Sequence, residues 1–300
     1  MTIVSRIAGV VAGVLLGSHC LLVAAADKPV AQASVTSKEA QMFSRAAGYE
    51  RYMGRWSRLL VPGYLDFAGV RDGQRILDVG TGTGAVALTI EARTGSAEIV
   101  GIDPSEAFLA AGKKQATSGR IRFEVGDAQA LGLPDASFDQ TLSLLVLNFV
   151  NNPEKAITEM RRVTRPGGTV SSCVWDYNEG MQMARFFWDE AVALDPSMAP
   201  KDQRNMKFAR QGELGDAWRK AGLAGVREHA LVIDQRYSNF DDYWLPFLEG
   251  AGAAGAFVAA LSPERRNQIE SRLRKRMLGD RPDGPFTLKG RAWCVRGEVN

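Results

Sequence analysis

The stretch Ile76-Leu77-Asp78-Val79-Gly80-Thr81-Gly82-Thr83-Gly84-Ala85 runs from an apolar segment into three glycines at alternate positions. Glycines let a backbone take angles closed to other residues and let a ligand approach where a Cβ would intrude. A helix starting just after such a turn offers unpaired N–H groups. A nucleotide-like ligand suits both features. The same residues also satisfy the looser dinucleotide fingerprint that ends in alanine, so the turn alone leaves the ligand open.

A second carboxylate follows in Val100-Gly101-Ile102-Asp103-Pro104-Ser105. Placed at the end of the next strand, Asp103 sits beside the glycine turn and accepts hydrogen bonds from both hydroxyls of a ribose. NAD and S-adenosylmethionine (SAM) are served equally by it. A third group, Val125-Gly126-Asp127-Ala128, discriminates better, because an acidic side chain next to a free backbone N–H recognises an adenine edge.

Positioning these groups requires strands alternating with helices. Strands are predicted at 75–80, 98–103, 120–127, 138–146 and 168–175, with helices near 84–93, 105–116 and 153–164. In the last helix Ala156, Ile157, Met160 and Val163 recur at helical spacing. Pro166-Gly167-Gly168 is expected to stop that helix and turn the chain into the next strand. Such alternation is the pattern of a doubly wound parallel α/β sheet with right-handed crossovers. After Trp175 the rhythm is interrupted by two helical insertions, about 180–209 and 239–278. Between them a helix at 211–221 and a strand near 226–234 resume the alternation. A last strand at 286–299 arrives without a helix directly before it and so can pair antiparallel.

Taken in order, 76–87, 101–105, 126–139 and Arg161-Arg162-Val163-Thr164-Arg165-Pro166-Gly167-Gly168 resemble the motifs of class I SAM-dependent methyltransferases. The resemblance is to the type 11 branch, which is similar to quinone-biosynthesis methyltransferases. It implies a Rossmann-like, mostly parallel sheet of seven strands whose last strand is antiparallel, with SAM over the carboxyl ends of the first strands. Carried over by position, Asp78, Gly80, Gly82 and Gly84 surround the methionine part, Asp103 the ribose, and Asp127 with Ala128 the adenine. Asn148, just past the fourth strand, would face the methyl-transfer site. Tyr49-Glu50-Arg51-Tyr52-Met53-Gly54-Arg55-Trp56-Ser57 resembles a segment that folds over SAM in some relatives; simple packing of Tyr52 and Trp56 onto the sheet explains it equally well. Thr81 stands where many relatives carry cysteine.

SAM is an activated methyl donor, so a protein using it must chiefly align the reactants and exclude water. A general base is optional, with Asp176, Tyr177 and His229 as candidates; no catalytic residue is assigned, and a structural role suits His229 better. Acceptor specificity is expected in the two insertions. Met181, Met183, Phe186, Phe187 and Trp188 in one, and Tyr243, Trp244, Phe247 and Leu248 in the other, suit a flat or apolar small molecule. Side chains of these types at helical spacing are more often core than pocket. The basic run Arg265, Arg266, Arg272, Arg274, Lys275 and Arg276 reads as a solvated helix face with acids nearby.

The whole chain bounds these readings. Its 300 residues are 45% hydrophobic and 24% charged, enough for one large domain with helical elaborations. The formal charge of +3 is spread along the chain, which argues against nucleic acid as a partner. The cysteines show no metal-ligand spacing and no disulfide framework, and Cys173 and Cys294 read as small buried apolar residues. Residues 1–26, apolar from Ile7 to Ala26 except at Ser18 and His19, read as a signal peptide or membrane anchor, followed by a linker over 27–41 and a methyltransferase domain over 42–300. An over-extended start, with Met42 as the true one, is a third reading. A leader directs the chain outward and a SAM requirement keeps it in the cytoplasm, so the two signals conflict. Two rivals remain: an NAD-dependent oxidoreductase, for which no catalytic Tyr-x-x-x-Lys or Cys/His site is found, and a non-catalytic SAM-fold protein, exported or tethered to a membrane.

Overall fold

Seven strands make one sheet in the spatial order β3-β2-β1-β4-β5-β7-β6. They are β1 (Arg75–Val79), β2 (Glu98–Asp103), β3 (Ile121–Val125), β4 (Phe138–Leu144), β5 (Thr164–Trp175), β6 (Ala224–Tyr237) and β7 (Phe286–Glu298). The first five pair in parallel, while β7 slots antiparallel between β5 and β6. The fold is the Rossmann-like, mostly parallel architecture expected. The computed structural model describes Gly48, residues 50–250 and residues 252–300, so the leader, the linker and Met42 lie outside the described residues. Among the described residues no helix is long and apolar enough to cross a membrane.

Each central strand feeds two hydrophobic layers. In β1, Ile76 enters one and its neighbours Leu77 and Val79 enter the other, because successive side chains point to opposite faces. The first layer is covered by α1 (Arg55–Ala68), α2 (Ala85–Arg93) and α3 (Glu106–Gln115). The second is covered by α4 (Pro153–Val163) and α6 (Glu213–Lys220), whereas α5 (Gln182–Leu194), between them in sequence, packs into the first. Buried polar groups tie helices to strands: Tyr64 Oη donates to the Ser171 carbonyl at 2.9 Å, and Trp218 Nε1 to the Val170 carbonyl at 3.0 Å.

Several boundaries differ from expectation for local reasons. Helix α4 ends before the Pro-Gly-Gly tripeptide, which β5 absorbs. Gly167 N donates to the Val299 carbonyl and Val299 N to the Gly168 carbonyl, so the tripeptide is held by the end of the chain. The first insertion is helical only to Leu194; Pro196 and Pro200 fall in the tight turn Pro196–Lys201, and Gln203–Asn205 forms another. Proline lacks the N–H that an α-helix needs in its interior. The second insertion is three helices, α7 (Phe240–Leu248), α8 (Gly252–Ala259) and α9 (Pro263–Leu278).

The cysteine reading needs correction. Cys173 on β5 and Cys294 on β7 are directly opposed in the antiparallel ladder, with Cα atoms 4.0 Å apart, and form a disulfide. Their separation of 121 residues concealed the pairing, because it exists only once β7 inserts beside β5. The basic run lies on α9, as expected for a solvated face: Arg272 and Arg276 pair with Glu190, and Arg274 with Asp283.

Candidate functional site

A cavity of about 460 Å³ opens at the carboxyl ends of β1, β2 and β4, within the range of small-molecule sites. Its floor is the glycine turn. Gly80 and Thr81 both donate N–H to the Ile102 carbonyl, at 2.7 and 2.9 Å, drawing the turn against the end of β2. Gly80 has φ 74° and Gly82 φ 56°, in the left-handed region that favours glycine. A Cβ on Gly80 would overlap Val146, whereas one on Gly82 would meet no atom within 4 Å. Gly82 thus faces open space where a ligand can approach the backbone.

Around this floor stand carboxylates. Asp78 is 1% exposed and accepts from Thr81 Oγ1 at 2.6 Å. Burial pushes its carboxyl up to about 7, against the pull of the Thr81 hydroxyl and the Ala87 N–H. Asp103 accepts from Gly82 N and Ser105 N, each at 2.9 Å, which orients both of its oxygens. Desolvation raises it to about 6, and those two N–H groups keep it from rising further. Asp127 accepts from Gln129 N at 2.9 Å and lines the cavity beside Ala128 and Gln129.

Of the residues singled out in the sequence, Asp78, Gly80, Gly82, Asp103, Asp127 and Ala128 come together on the cavity wall. Gly84 and Asn148 do not line it. Gly84 opens α2, and a Cβ there would lie 3.2 Å from both Leu88 and Phe123, so it admits close helix packing. Asn148 sits in the tight turn Leu147–Phe149, which gives Val146 and Phe149 to the cavity, and its own amide is buried without a hydrogen-bond partner. Among the base candidates, Tyr177 lines the cavity. Asp176 is bound by Arg291 Nε at 2.6 Å, and His229, on the edge strand β6, stacks on Phe67.

The N-terminal segment closes one side. Glu50, Tyr52, Met53, Gly54 and Ser57 line the cavity, while Trp56 packs on Tyr237. Thr83 Oγ1 donates to Glu50 Oε1 at 2.6 Å, fastening this segment to the glycine turn, and Arg58 pairs with the same carboxylate. Sequence reasoning passed over Trp175 and Gln203, which also line the cavity. The signal for Trp175 was its place at the end of β5, one residue before the two base candidates.

The aromatic residues of the insertions are core. Phe187 stacks on Phe247 at 5.1 Å between centroids and meets Trp188 and Phe257 edge-on, while Tyr52 meets Phe247 edge-on at 5.3 Å. Beneath them Arg185, 4% exposed, pairs with Asp202 at 2.7 Å. That pair holds the turn carrying Gln203, whose Oε1 accepts from Trp188 Nε1 at 2.9 Å. No group of His, Cys, Asp and Glu suited to a metal ion occurs among the described residues.

Residues 77–172 match the family described as methyltransferase domain. A ubiquinone/menaquinone biosynthesis C-methyltransferase of Paracoccus denitrificans is 37% identical over 137 residues, 42% of this chain and 54% of its own length. A sterol 24-C-methyltransferase of Pneumocystis carinii is 34% identical over 169 residues, 55% of this chain and 40% of its own. The chain spans about half the length of the first curated relatives it matches. Among solved structures, a SAM-dependent methyltransferase from Thermotoga maritima aligns with TM-score 0.52 at 21% identity, covering 87% of this chain and 100% of that one. Phosphoethanolamine N-methyltransferase 2 of Haemonchus contortus, in complex with S-adenosyl-L-methionine, aligns at 0.54 and 16%, covering 87% and 59%. These structural likenesses establish the fold.

Proposed function

We propose, from the match of residues 77–172 to the methyltransferase domain family, that the chain transfers a methyl group from SAM to a small, flat or apolar acceptor. The observation that carries the reading is the joint placement of Asp103, the open face of Gly82 and Asp127 on one cavity wall. The residues present fit the cofactor. Asp103, with both oxygens already oriented by backbone N–H groups, suits a ribose diol; Asp127 and Ala128 suit an adenine edge; Asp78 supplies negative charge beside the glycine turn for the methionine ammonium.

When bound, SAM supplies a methyl group on a sulfonium that is itself the leaving group. The chain's part is alignment and exclusion of water. Tyr52, Met53, Trp175 and Tyr177 provide an apolar and aromatic enclosure beyond the cofactor residues, and the Glu50–Thr83 hydrogen bond holds the N-terminal turn in place over them. No base is assigned. A location inside the cell follows from the cofactor requirement as part of this reading, and the acceptors named for the curated relatives, quinone precursors and sterols, fit the character of the enclosure.

Isothermal titration of the full chain with SAM, S-adenosylhomocysteine and NAD, beside Asp103→Ala, tests the proposal. Micromolar adenosylhomocysteine binding that the variant loses is the expected result. Absence of adenosyl binding, or NAD binding in its place, would overturn it.

A further inference from the structure

Strand β6 ends the sheet, and among the described residues no strand pairs with its outer side. Its pairing with β7 is unbroken from Arg227 to Tyr237, so over that run one row of backbone N–H and C=O groups points away from the sheet. The run holds no proline or glycine to blunt the edge. Apolar side chains flank it on both faces. Val232, 57% exposed, is the most exposed large apolar side chain among the described residues, and it shares a face with Glu228 and Arg236 because alternate residues of a strand point the same way. Along the other face runs α1: Phe67 stacks on His229, and a Cβ on Gly63 would lie 3.1 Å from Leu231. Leu59, one turn earlier on α1 and 53% exposed, is thereby level with Ile233.

We infer that β6 joins two copies of this chain, paired antiparallel about a two-fold axis at Val232. Full overlap of the run from Arg227 to Tyr237 with its own copy puts the axis at the middle residue of the run, which is Val232. In this register each Glu228 lies opposite the partner's Arg236 and Val232 lies opposite itself, so two opposite-charge pairs bracket an apolar centre. The charges suit that arrangement. Glu228 Oε1 accepts from Gly215 N at 2.8 Å, Asp234 is taken by Lys289 of β7 at 2.5 Å, and Arg236 is exposed. On the other face Leu231 meets the partner's Ile233, with Leu59 beside them. Moving the axis to Leu231 would set Glu228 against the partner's Asp234, and moving it to Ile233 would carry Glu228 past the end of the strand at Tyr237. The cavity lies elsewhere, since β6 gives it no residue, and the contact is therefore independent of the cofactor reading.

Sedimentation velocity of the full chain over a range of micromolar concentrations should show a species of twice 32.6 kDa that grows with concentration. Arg236→Glu opposes like charges at both ends of the contact and should weaken dimerisation by about tenfold or more. Arg122→Glu, on the opposite edge strand β3, should leave it unchanged. The register has its own readout, which holds if Arg236→Glu folds poorly. In a Cys20→Ser background, Val232→Cys should form a disulfide with its copy under mild oxidation, because directly opposed residues stand within disulfide reach. Asp234→Cys, whose copy lies about 13 Å away along the strand, should not. A monomer at every concentration, a dimer that Arg236→Glu does not weaken, or equal oxidation at positions 232 and 234 would overturn the inference, the second by placing the contact elsewhere on the chain.

Discussion

Thr81 Oγ1 reaches back across the glycine turn to donate to Asp78 Oδ2 at 2.6 Å, so a residue of the ligand loop stabilises the charge of a carboxylate buried at the end of β1. Thr81 also lies over Gly101, where a Cβ would come within 2.8 Å of its hydroxyl. A side chain at position 101 would therefore displace this hydroxyl from Asp78.

Asp78 and Asp103, raised to about 7 and about 6, make the ligand-free chain sensitive to pH. Both carboxyls hold protons more firmly when folded than when unfolded. At these two sites the folded state therefore binds more protons between about pH 4 and 7, so their contribution to stability is greatest at the acid end and declines as pH rises through 6 and 7. Cofactor affinity should run the opposite way, strengthening over the same interval as the carboxylates ionise. Asp78→Asn should melt higher than wild type at pH 8, show a flatter pH dependence, and bind SAM at least about tenfold more weakly. Thermal melts and titrations at pH 5.5, 6.5, 7.5 and 8 measure all three; an unaltered slope in the variant would contradict the assignment.

The two left-handed glycines Gly80 and Gly82 should separate packing from ligand approach. Gly80→Ala combines φ 74° with overlap on Val146 and should lose about 2–3 kcal/mol of stability. Gly82→Ala has φ 56° and free space, so its cost should be only about 1–2 kcal/mol, while adenosylhomocysteine binding falls sharply. Chemical denaturation and titration of both proteins decide whether the losses divide in this way.

Gln235 is fully buried between the sheet and α1, and neither amide atom has a hydrogen-bond partner. Replacing it with leucine removes two unsatisfied polar atoms at nearly constant volume. Gln235→Leu should therefore raise the melting temperature, by about 1–2 kcal/mol equivalent. A lower melting temperature would mean that the amide is satisfied by a bound water.

Asp202→Ala should be the most damaging single change in the first insertion. It leaves the Arg185 guanidinium buried with only the partly exposed Asp189 and the Tyr177 carbonyl as partners, at a cost of about 3 kcal/mol. Denaturation curves give the magnitude. Hydrogen exchange at Gln203 and Arg204 should also quicken, since the turn loses its anchor.

Where placement depends on local sequence order, the sequence was legible. The glycine turn, Asp103 and Asp127 lie at strand ends that periodicity locates, and the sheet then gathers them on one wall. Contacts between distant segments were hidden. Cys173 and Cys294 meet only because β7 enters between β5 and β6, and Trp175 joins the cavity wall beside Tyr52 and Met53 only once the chain is folded. Asn148 shows the limit of placement by position, because a tight turn after β4 gives its neighbours to the cavity instead. The aromatic residues of the insertions followed the commoner expectation and became core, since their helical spacing directs one face inward toward each other.

Under the proposed function, that shared core constrains how such a protein acquires new acceptors. Tyr52, Phe187, Phe247 and Phe257 come from three separated stretches of chain yet interlock in one aromatic cluster above the cavity. Transplanting a single loop from a relative would bring side chains shaped for absent neighbours. Drift in acceptor preference should instead proceed through compensated changes on two stretches at once, or through the few wall positions, such as Gln203 and Ala253, that face the cavity from beside the cluster.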